Sequence, residues 1–390
     1  MGWHIPFRWL EEKKKMKSKI AKLEVLSPLH IGNGNVLGLI DFVLDDERFV
    51  KINFAKLAEY CYDKGIDLAK GIEEERFKVR YKNEEIFSIE KFLEFYKIDY
   101  GMFADYKIPL NIGERRRETK IEVKEFIKDG RGGLYIPGSS IKGAIRTALL
   151  WKALDNRSVN KHCNNLLKRR KINSKEACKE LEKEIFGRTA HEDILKGLRI
   201  SDTDPIEVNE LEVDEIKIIG NPTPIPTYVE NLRIGAKTRF VIGIDEELLS
   251  EKLFESNVLR DYINHEDILR ICSDFSLEYA KKQGSYGSYN DETKQFYGEL
   301  QNKIIDLKEN EAILNMGWGG GWYSKTIGLK VENHPDFTAD PRNFSQFKRT
   351  LRFKLKLGKN PRGRGFVVKF PKTRRVTIEG LPLGWIKVCV

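Results

Sequence analysis

The run IPGSSIKGAIRTALL, from Ile136 to Leu150, holds the densest set of residues able to meet a phosphate. Pro137 and Gly138 stop the preceding segment and open a helix whose apolar stripe is Ile141, Ala144, Ile145, Ala148 and Leu149. Ser139 or Ser140 is expected to cap its first turn, and Gly143 allows close approach of another backbone. Lys142 and Arg146 stand four apart near the positive end of the helix dipole. There they repel each other and oppose the dipole, at a cost of roughly a few tenths of a kcal/mol. A phosphate lying across the helix start reverses that penalty, because it takes hydrogen bonds from free amides, the serines and both cations. The plain alternative is a solvated cationic face.

A second segment, MGWGGGWYSKTIG from Met316 to Gly328, combines Gly317, Gly319, Gly320 and Gly321 with Trp318, Trp322, Tyr323 and Lys325. Glycines let the backbone come close to a sugar-phosphate chain, flat rings stack on bases, and a lysine meets a phosphate, so single-stranded RNA is the matching ligand. The alternative is a tight turn with tryptophans as core anchors. Gly319 followed by Ser324-Lys325-Thr326 also resembles a nucleotide-binding P-loop. That reading is set aside because Trp322 and Tyr323 would crowd the phosphates and no buried strand is expected over residues 309–315.

His30, in SPLHIGNG, is a candidate general base toward a ribose 2′-hydroxyl, yet no acid/base partner lies at a telling spacing. A hydrogen bond to loop backbone or to RNA is the stronger reading. His162-Cys163 with Cys178, and His191-Glu192-Asp193, lack zinc spacing. Asp202 and Asp204 read as caps and turn formers rather than metal ligands. Neither a metal nor a cofactor is expected. Arg115-Arg116-Arg117, Lys168-Arg169-Arg170-Lys171 and Arg362-Gly363-Arg364-Gly365 are basic runs that can track phosphates or simply face solvent.

These segments need elements to hold them. Lys19–Leu26 reads as a strand, Gly32-Asn33-Gly34 as a loop, and Leu37–Leu44 as a second strand. Residues Phe54–Tyr62, Ile86–Tyr96 and Glu118–Ile127 read as helical decoration, and Asn156–Lys196 as a helical insertion. Leu198–Thr203 reads as a strand entering a turn. Prolines 222, 224 and 226 mark a linker. Tyr228–Leu232 and Thr238–Asp245 look like a hairpin about Gly235, with helices at Leu248–Leu253, His265–Lys282 and Glu292–Leu307 after them. Leu351–Leu357, Val367–Phe370, Val376–Ile378 and Trp385–Val388 close the chain as strands. The class expected is α+β, divided into an extension at 1–16, an N-terminal lobe at 17–220 and a C-terminal lobe at 221–390.

Composition narrows the function class. The 390 residues carry 69 Lys and Arg against 59 Asp and Glu, a modest excess that favours a polyanionic partner. The five cysteines, Cys61, Cys163, Cys178, Cys272 and Cys389, are scattered and odd in number, which argues against a disulfide framework and for a reducing cytoplasm. No apolar run suits a membrane span or a signal peptide.

Taken in order, SPLHIGNG, IPGSSIKGAIRTAL, LRISDT, YVENLRIGAKTRF, MGWGGGWYSKTIG and FPKTRRVTIEGLPLGWIKV resemble the RAMP superfamily of CRISPR-associated proteins across residues 19 to 388. Within it, the chain is most similar to the subunit at the crRNA 3′ side of type III-A (Csm) complexes. The resemblance implies two RRM-like, ferredoxin-like lobes and crRNA as ligand. It also implies contact with the repeated backbone subunit and other Csm subunits, a part in crRNA maturation in antiviral defence, and a host nuclease as a further candidate partner. The target-cutting aspartate of such complexes belongs to the backbone subunit and maps to no residue here. The expected RNA-binding residues are His30, Gly138, Ser139, Ser140, Lys142, Gly143, Arg146, Gly317, Trp318, Gly319, Gly320, Gly321, Trp322 and Lys325. The rival function is a metal-independent crRNA-processing endoribonuclease of the same superfamily with His30 as base, leaving a 2′,3′-cyclic phosphate.

Overall fold

A computed structural model describes residues 16–45, 47–81, 83–113, 121–220, 226–360 and 365–390. Residues 1–15, the Arg115–Arg117 run, residues 221–225 of the proline-rich linker and Arg362–Arg364 lie outside the described residues. Strands β1 (Met16–Val25) and β2 (Gly32–Leu37) flank residues 26–31, and Gly32-Asn33-Gly34, expected as a loop, instead opens β2, which pairs with β8. β3 (Phe42–Asp45), β4 (Arg48–Ile52), a hairpin of β5 (Lys78–Tyr81) and β6 (Glu84–Phe87), β7 (Ala104–Asn111) and β8 (Val123–Phe126) follow. Helices Phe54–Asp63, Leu68–Glu73 and Ile89–Tyr96 lie among them. Beyond the helix Gly138–Ala153 and the inserted helices Asn156–Lys168 and Lys179–Phe186 come β9 (Leu198–Ile200), β10 (Leu211–Ile219), β11 (Thr227–Leu232) and β12 (Lys237–Asp245). Helices His265–Gly284 and Asp291–Ile305 lead to β13 (Glu311–Asn315), β14 (Arg374–Thr377) and β15 (Trp385–Cys389).

The strands form two main sheets, so the fold is α+β as expected. One has the order β13-β15-β1-β12-β9, and the other runs β2-β8-β11-β10-β7-β4-β3 with β14 on β10. β1 shows why it occupies the centre of the first. Ala21, Leu23 and Val25 are buried while Ile20 and Lys22 are exposed, the period-two alternation of a half-buried strand. Its register runs from Met16 opposite Asp245 to Glu24 opposite Lys237, and its other edge takes β15 from Lys22 opposite Cys389 to Val25 opposite Ile386. Each sheet therefore draws strands from both sides of residue 220, and one apolar cluster reaches from Ala21 to Val388. A satellite core of Val50, Leu57, Phe77, Phe92 and neighbours sits under the helices between β4 and β7.

Several local expectations are corrected. Over its described residues, 121–127, the segment ending at Ile127 is not helical, because β8 pairs in parallel with β11 and antiparallel with β2, burying Val123 and Phe126. Leu37–Leu44 is not one strand but the end of β2, a turn and β3. β11 and β12 are adjacent in sequence yet enter different sheets, so they form no hairpin. Leu351–Leu357 alternates like a strand but forms the helix Leu351–Lys354: Thr350 Oγ1 accepts from Phe353 N, and the chain turns to bury Arg352. Val367–Phe370 forms no strand.

The aromatic cluster behind β15 centres on Trp385, fully buried and stacked on Tyr279 at 5.2 Å. Trp385→Ala should cost about 3–5 kcal/mol, read as a lower urea midpoint. A loss under about 1 kcal/mol would show that this cluster is not a pillar of the fold.

Candidate RNA-binding cleft

The PGSS helix is started by partners from the turn after β9. Ser139 and Ser140 do not cap it, a correction: the Gly138 amide donates to Asp202 Oδ1 at 2.8 Å, and Ile136 N donates to Thr203 Oγ1 at 2.9 Å. A side chain at Gly138 would collide with the carbonyls of Ile200 and Ser201, so this glycine serves the helix's contact with the turn after β9. Asp202 thus acts as a cap, and Asp204 pairs with Arg239 at 2.8 Å. With the serines released from capping, Ser139, Ser140, Gly143, Ala144 and Thr147 face a cleft. Among the described residues outside its own helix, none comes within 4 Å of where a β-carbon at Gly143 would sit, and Gly143 is exposed there.

His30 forms part of the cleft's floor. Its ring is buried, and Nδ1–H donates to the Glu230 carbonyl at 2.7 Å; a carbonyl only accepts, so Nε2 carries the free lone pair. The backbone of His30 in turn accepts from Trp318 N at 2.8 Å, and a side chain at Gly317 would strike the same carbonyl. Gly317, with φ of +74°, is therefore required by this junction. Leu29 and Leu232 exchange backbone hydrogen bonds, Gly384 N donates to Pro28 O, and Met316 N donates to Gly384 O. Four segments remote in sequence, around residues 28–30, 230–232, 316–318 and 384, are laced together this way. Below them the Glu230 carboxylate, with 0% exposure, accepts from Tyr106 Oη, Phe126 N at 2.8 Å and Lys128 Nζ at 2.9 Å. Sequence reasoning missed Glu230: it is an acidic residue inside a strand pattern, detectable only as a break in its apolar run.

The cleft has a volume of about 600 Å³. Its walls are the Gly34–Val36 rim of β2 with Lys124, the PGSS helix face, and Asn315, Gly317, Trp318, Ser324 and Lys325 of the glycine segment. Two cations, Lys124 and Lys325, stand at it without an ion pair among the described residues. Trp318 is half-buried, with the His30 ring edge-on at 6.0 Å and the Arg375 guanidinium over it at 4.9 Å.

Other expected site residues are placed elsewhere. Lys142 and Arg146 turn away from this cleft and have partners within the chain. Lys142 Nζ donates to the carbonyls of Leu195 and Leu198, both at 2.7 Å. Arg146 pairs with Asp193 at 2.9 Å and Glu182 at 3.5 Å and lies 3.7 Å from the Phe186 ring centre. The like-charge penalty expected for this pair is relieved by carbonyls and carboxylates of residues 182–198 rather than by an outside anion. Trp322 stacks on Phe337 at 5.7 Å and meets Phe370 edge-on, while Tyr323 is buried and donates to Glu332 Oε2 at 2.7 Å. Of the three aromatics in the segment, Trp318 alone lines the cleft.

One ground for setting aside a P-loop is overturned, since β13 is a buried strand leading straight into the glycines. The loop is nevertheless filled. A side chain at Gly320 would overlap Asn315 Oδ1 and Ser324 Oγ, the Gly320 carbonyl accepts from Tyr279 Oη at 2.6 Å, and Gly319 packs on Leu383. Gly321, with φ of +82°, is the exposed start of the helix Gly321–Lys325. His162 Nε2 is bound to the Ala177 carbonyl at 2.8 Å, and no group of three metal-ligating side chains occurs among the described residues. No helix among them is long and apolar enough to cross a membrane.

Burial lowers the His30 imidazole from 6.5 to about 4, helped by nearby Lys124 and Lys128 and opposed by the Glu230 hydrogen bond. The folded ring stays neutral while the unfolded chain takes up a proton between those values, so stability is full above pH 6.5 and falls as pH drops toward 4. His30→Gln should be less stable at pH 7, and its deficit should shrink by about 2–3 kcal/mol at pH 4.5 in urea unfolding. A deficit independent of pH would contradict a buried neutral His30.

The RAMP superfamily model matches residues 22–324. The chain is 27% identical to the CRISPR system protein Csm5 of Methanocaldococcus jannaschii, over 94% of this chain and 88% of that one. It is 24% identical to Csm5 of Enterococcus italicus over 78% of each. Among solved structures it resembles a chain in a cryo-EM structure of a type III-A Csm–crRNA–target RNA ternary complex, with a TM-score of 0.74 and 28% identity over 94% of this chain and 99% of that one. It also resembles the crystal structure of T. onnurineus Csm5, with a TM-score of 0.68, 25% identity and the same coverage. The described strands that carry the cleft lie almost wholly within the matched residues, and this chain belongs to the RAMP superfamily.

Proposed function

We propose that this chain is the crRNA-binding subunit at the crRNA 3′ side of a type III-A (Csm) effector complex, where it grips RNA backbone and docks other Csm subunits. The observation that carries the proposal is the convergence of the SPLHIGNG, PGSS and glycine-rich segments on one cleft, with one accessible tryptophan and two cations that have no ion pair among the described residues. Lys124 and Lys325 meet phosphates, the Trp318 face and glycine backbone accept a base and sugar, and the exposed Ser139 and Gly143 let the strand lie along the helix. Such contacts read no base edge, so binding is independent of sequence. The relatives support the same reading, being Csm5 proteins and a chain of a complex that contains crRNA and target RNA.

The protein acts by binding and not by cutting. His30 Nδ1 is committed to Glu230, and a ring held at a pKa of about 4 is a weak base at neutral pH. Lys142 and Arg146 are positioning residues that tie the PGSS helix to residues 182–198.

The test is binding of labelled single-stranded RNA across a salt series, with the same samples run on a denaturing gel. Lys124→Ala with Lys325→Ala should weaken binding about tenfold and make the salt slope shallower by about 1.4, roughly 0.7 for each phosphate no longer neutralised. Lys142→Ala with Arg146→Ala should lower stability and leave the slope unchanged. An unaltered slope in the first variant would remove the cleft assignment. Metal-independent cleavage to a 2′,3′-cyclic phosphate, abolished in His30→Gln, would favour the endoribonuclease.

A further inference from the structure

The chain's positive charge is unevenly placed. Residues 341–378 hold 13 of the 69 Lys and Arg and none of the 59 Asp and Glu, so the rest, with 56 basic to 59 acidic residues, is slightly acidic. The described residues of this stretch up to 373 belong to a small folded insertion at 326–373, between the helix Gly321–Lys325 and β14, and Arg374 and Arg375 open β14 beside it.

Its structural cations are satisfied largely without carboxylates. Buried Arg352 donates to the carbonyls of Val367, Val368 and Leu357 and to Thr338 Oγ1, between the rings of Phe347 and Phe370 at 5.4 Å each. Arg374 donates to Gln283 Oε1 at 2.6 Å and to the Pro371 and Thr373 carbonyls. Arg342 takes the nearby carboxylate of Asp340. Lys348, Arg349, Lys356, Lys359, Lys369 and Lys372 are left exposed, with no ion pair among the described residues.

A second basic run is brought beside them. Lys354 Nζ donates to the carbonyls of Leu167 and Arg169 at the end of the helix Asn156–Lys168, which fixes the exposed run Lys168–Lys171 next to the insertion. Phe344, 57% exposed, adds an accessible ring. Trp322 stacks on Phe337 and meets Phe370 of the insertion from the same segment that supplies Trp318 and Lys325 to the cleft, so patch and cleft share one support. A solvated face needs no such collection of like charges, which repel one another in the folded state. A polyanion compensates them.

We propose that this patch is a second, separate contact surface for the backbone of single-stranded RNA, engaging the strand beyond the cleft without regard to sequence. The proposal rests on the reading of the chain as an RNA-binding subunit. Exposed cations grip phosphates and Phe344 offers a stacking face.

The full chain is titrated with an RNA of about 8 nucleotides, within the span one binding fold covers, and with a strand several times longer. Lys348→Gln, Arg349→Gln, Lys359→Gln and Lys369→Gln combined should leave the short RNA's affinity unchanged and weaken the long one about tenfold. The long strand's salt slope should become shallower by about 0.7 for each phosphate released from the patch. Arg170→Gln with Lys171→Gln should act in the same direction on the long strand alone. All six side chains are exposed, and matching thermal melts check that folding is intact. Unchanged affinity and slope on the long strand for both variants would assign the patch to solvent or to an acidic protein and overturn the proposal. Should the cleft reading fail instead, Lys124→Ala with Lys325→Ala would spare the short RNA while the patch effect persisted.

Discussion

The cleft depends on the backbone of Pro28 to His30. Within three residues, Pro28 O holds Gly384, Leu29 exchanges bonds with Leu232, and His30 bonds the Glu230 carbonyl through its ring and the Trp318 amide through its carbonyl. Each of these is a buried polar group for which an unmade bond costs about 1–3 kcal/mol, so the set holds together or fails together. His30 is placed where a catalytic histidine would attract notice, yet its burial serves the junction. The glycines nearby follow from the same constraint: the loop must pass close to a carbonyl, to Leu383 and to Asn315, with no room for a β-carbon.

Charge is used in two ways in this molecule. Some cations are consumed by the fold: Lys128 on Glu230, Lys142 on two carbonyls, Arg146 on Asp193, Arg352 and Arg374 on carbonyls and an amide. Others, Lys124 and Lys325 at the cleft and the exposed set of the insertion, have no such role among the described residues. A surface meant for RNA is recognised by this second group, since a cation already paired inside the protein has little left to offer a phosphate. The carboxylates that cancel Arg146 come from the inserted segment, which in sequence is a charged helical stretch without an obvious purpose.

The class, the PGSS helix, the long helices after residue 264 and the central alternation of β1 were legible because each is local. An apolar stripe at helical spacing, or alternation against a single neighbour, leaves a mark in consecutive residues. β8 and the helix at Leu351–Lys354 were misread because their form is set by distant partners: a parallel neighbour for the first, the burial of an arginine among carbonyls for the second. The hairpin expected about Gly235 failed for a related reason, as its two strands are claimed by two different sheets.

By itself the sequence brought out the segments that come to line the cleft, and the order of the motifs carried the family. Only the tertiary structure decided which side chains within them are available. Lys142 and Lys325 look alike in the chain; one is held by two carbonyls from residues more than fifty positions away, and the other is exposed at the cleft. Trp318 and Trp322 differ in the same manner, one lining the cleft and one stacked inside on Phe337. Availability depends on what lies opposite in space, and hydrogen-bond partners brought together by folding are not encoded in neighbouring residues.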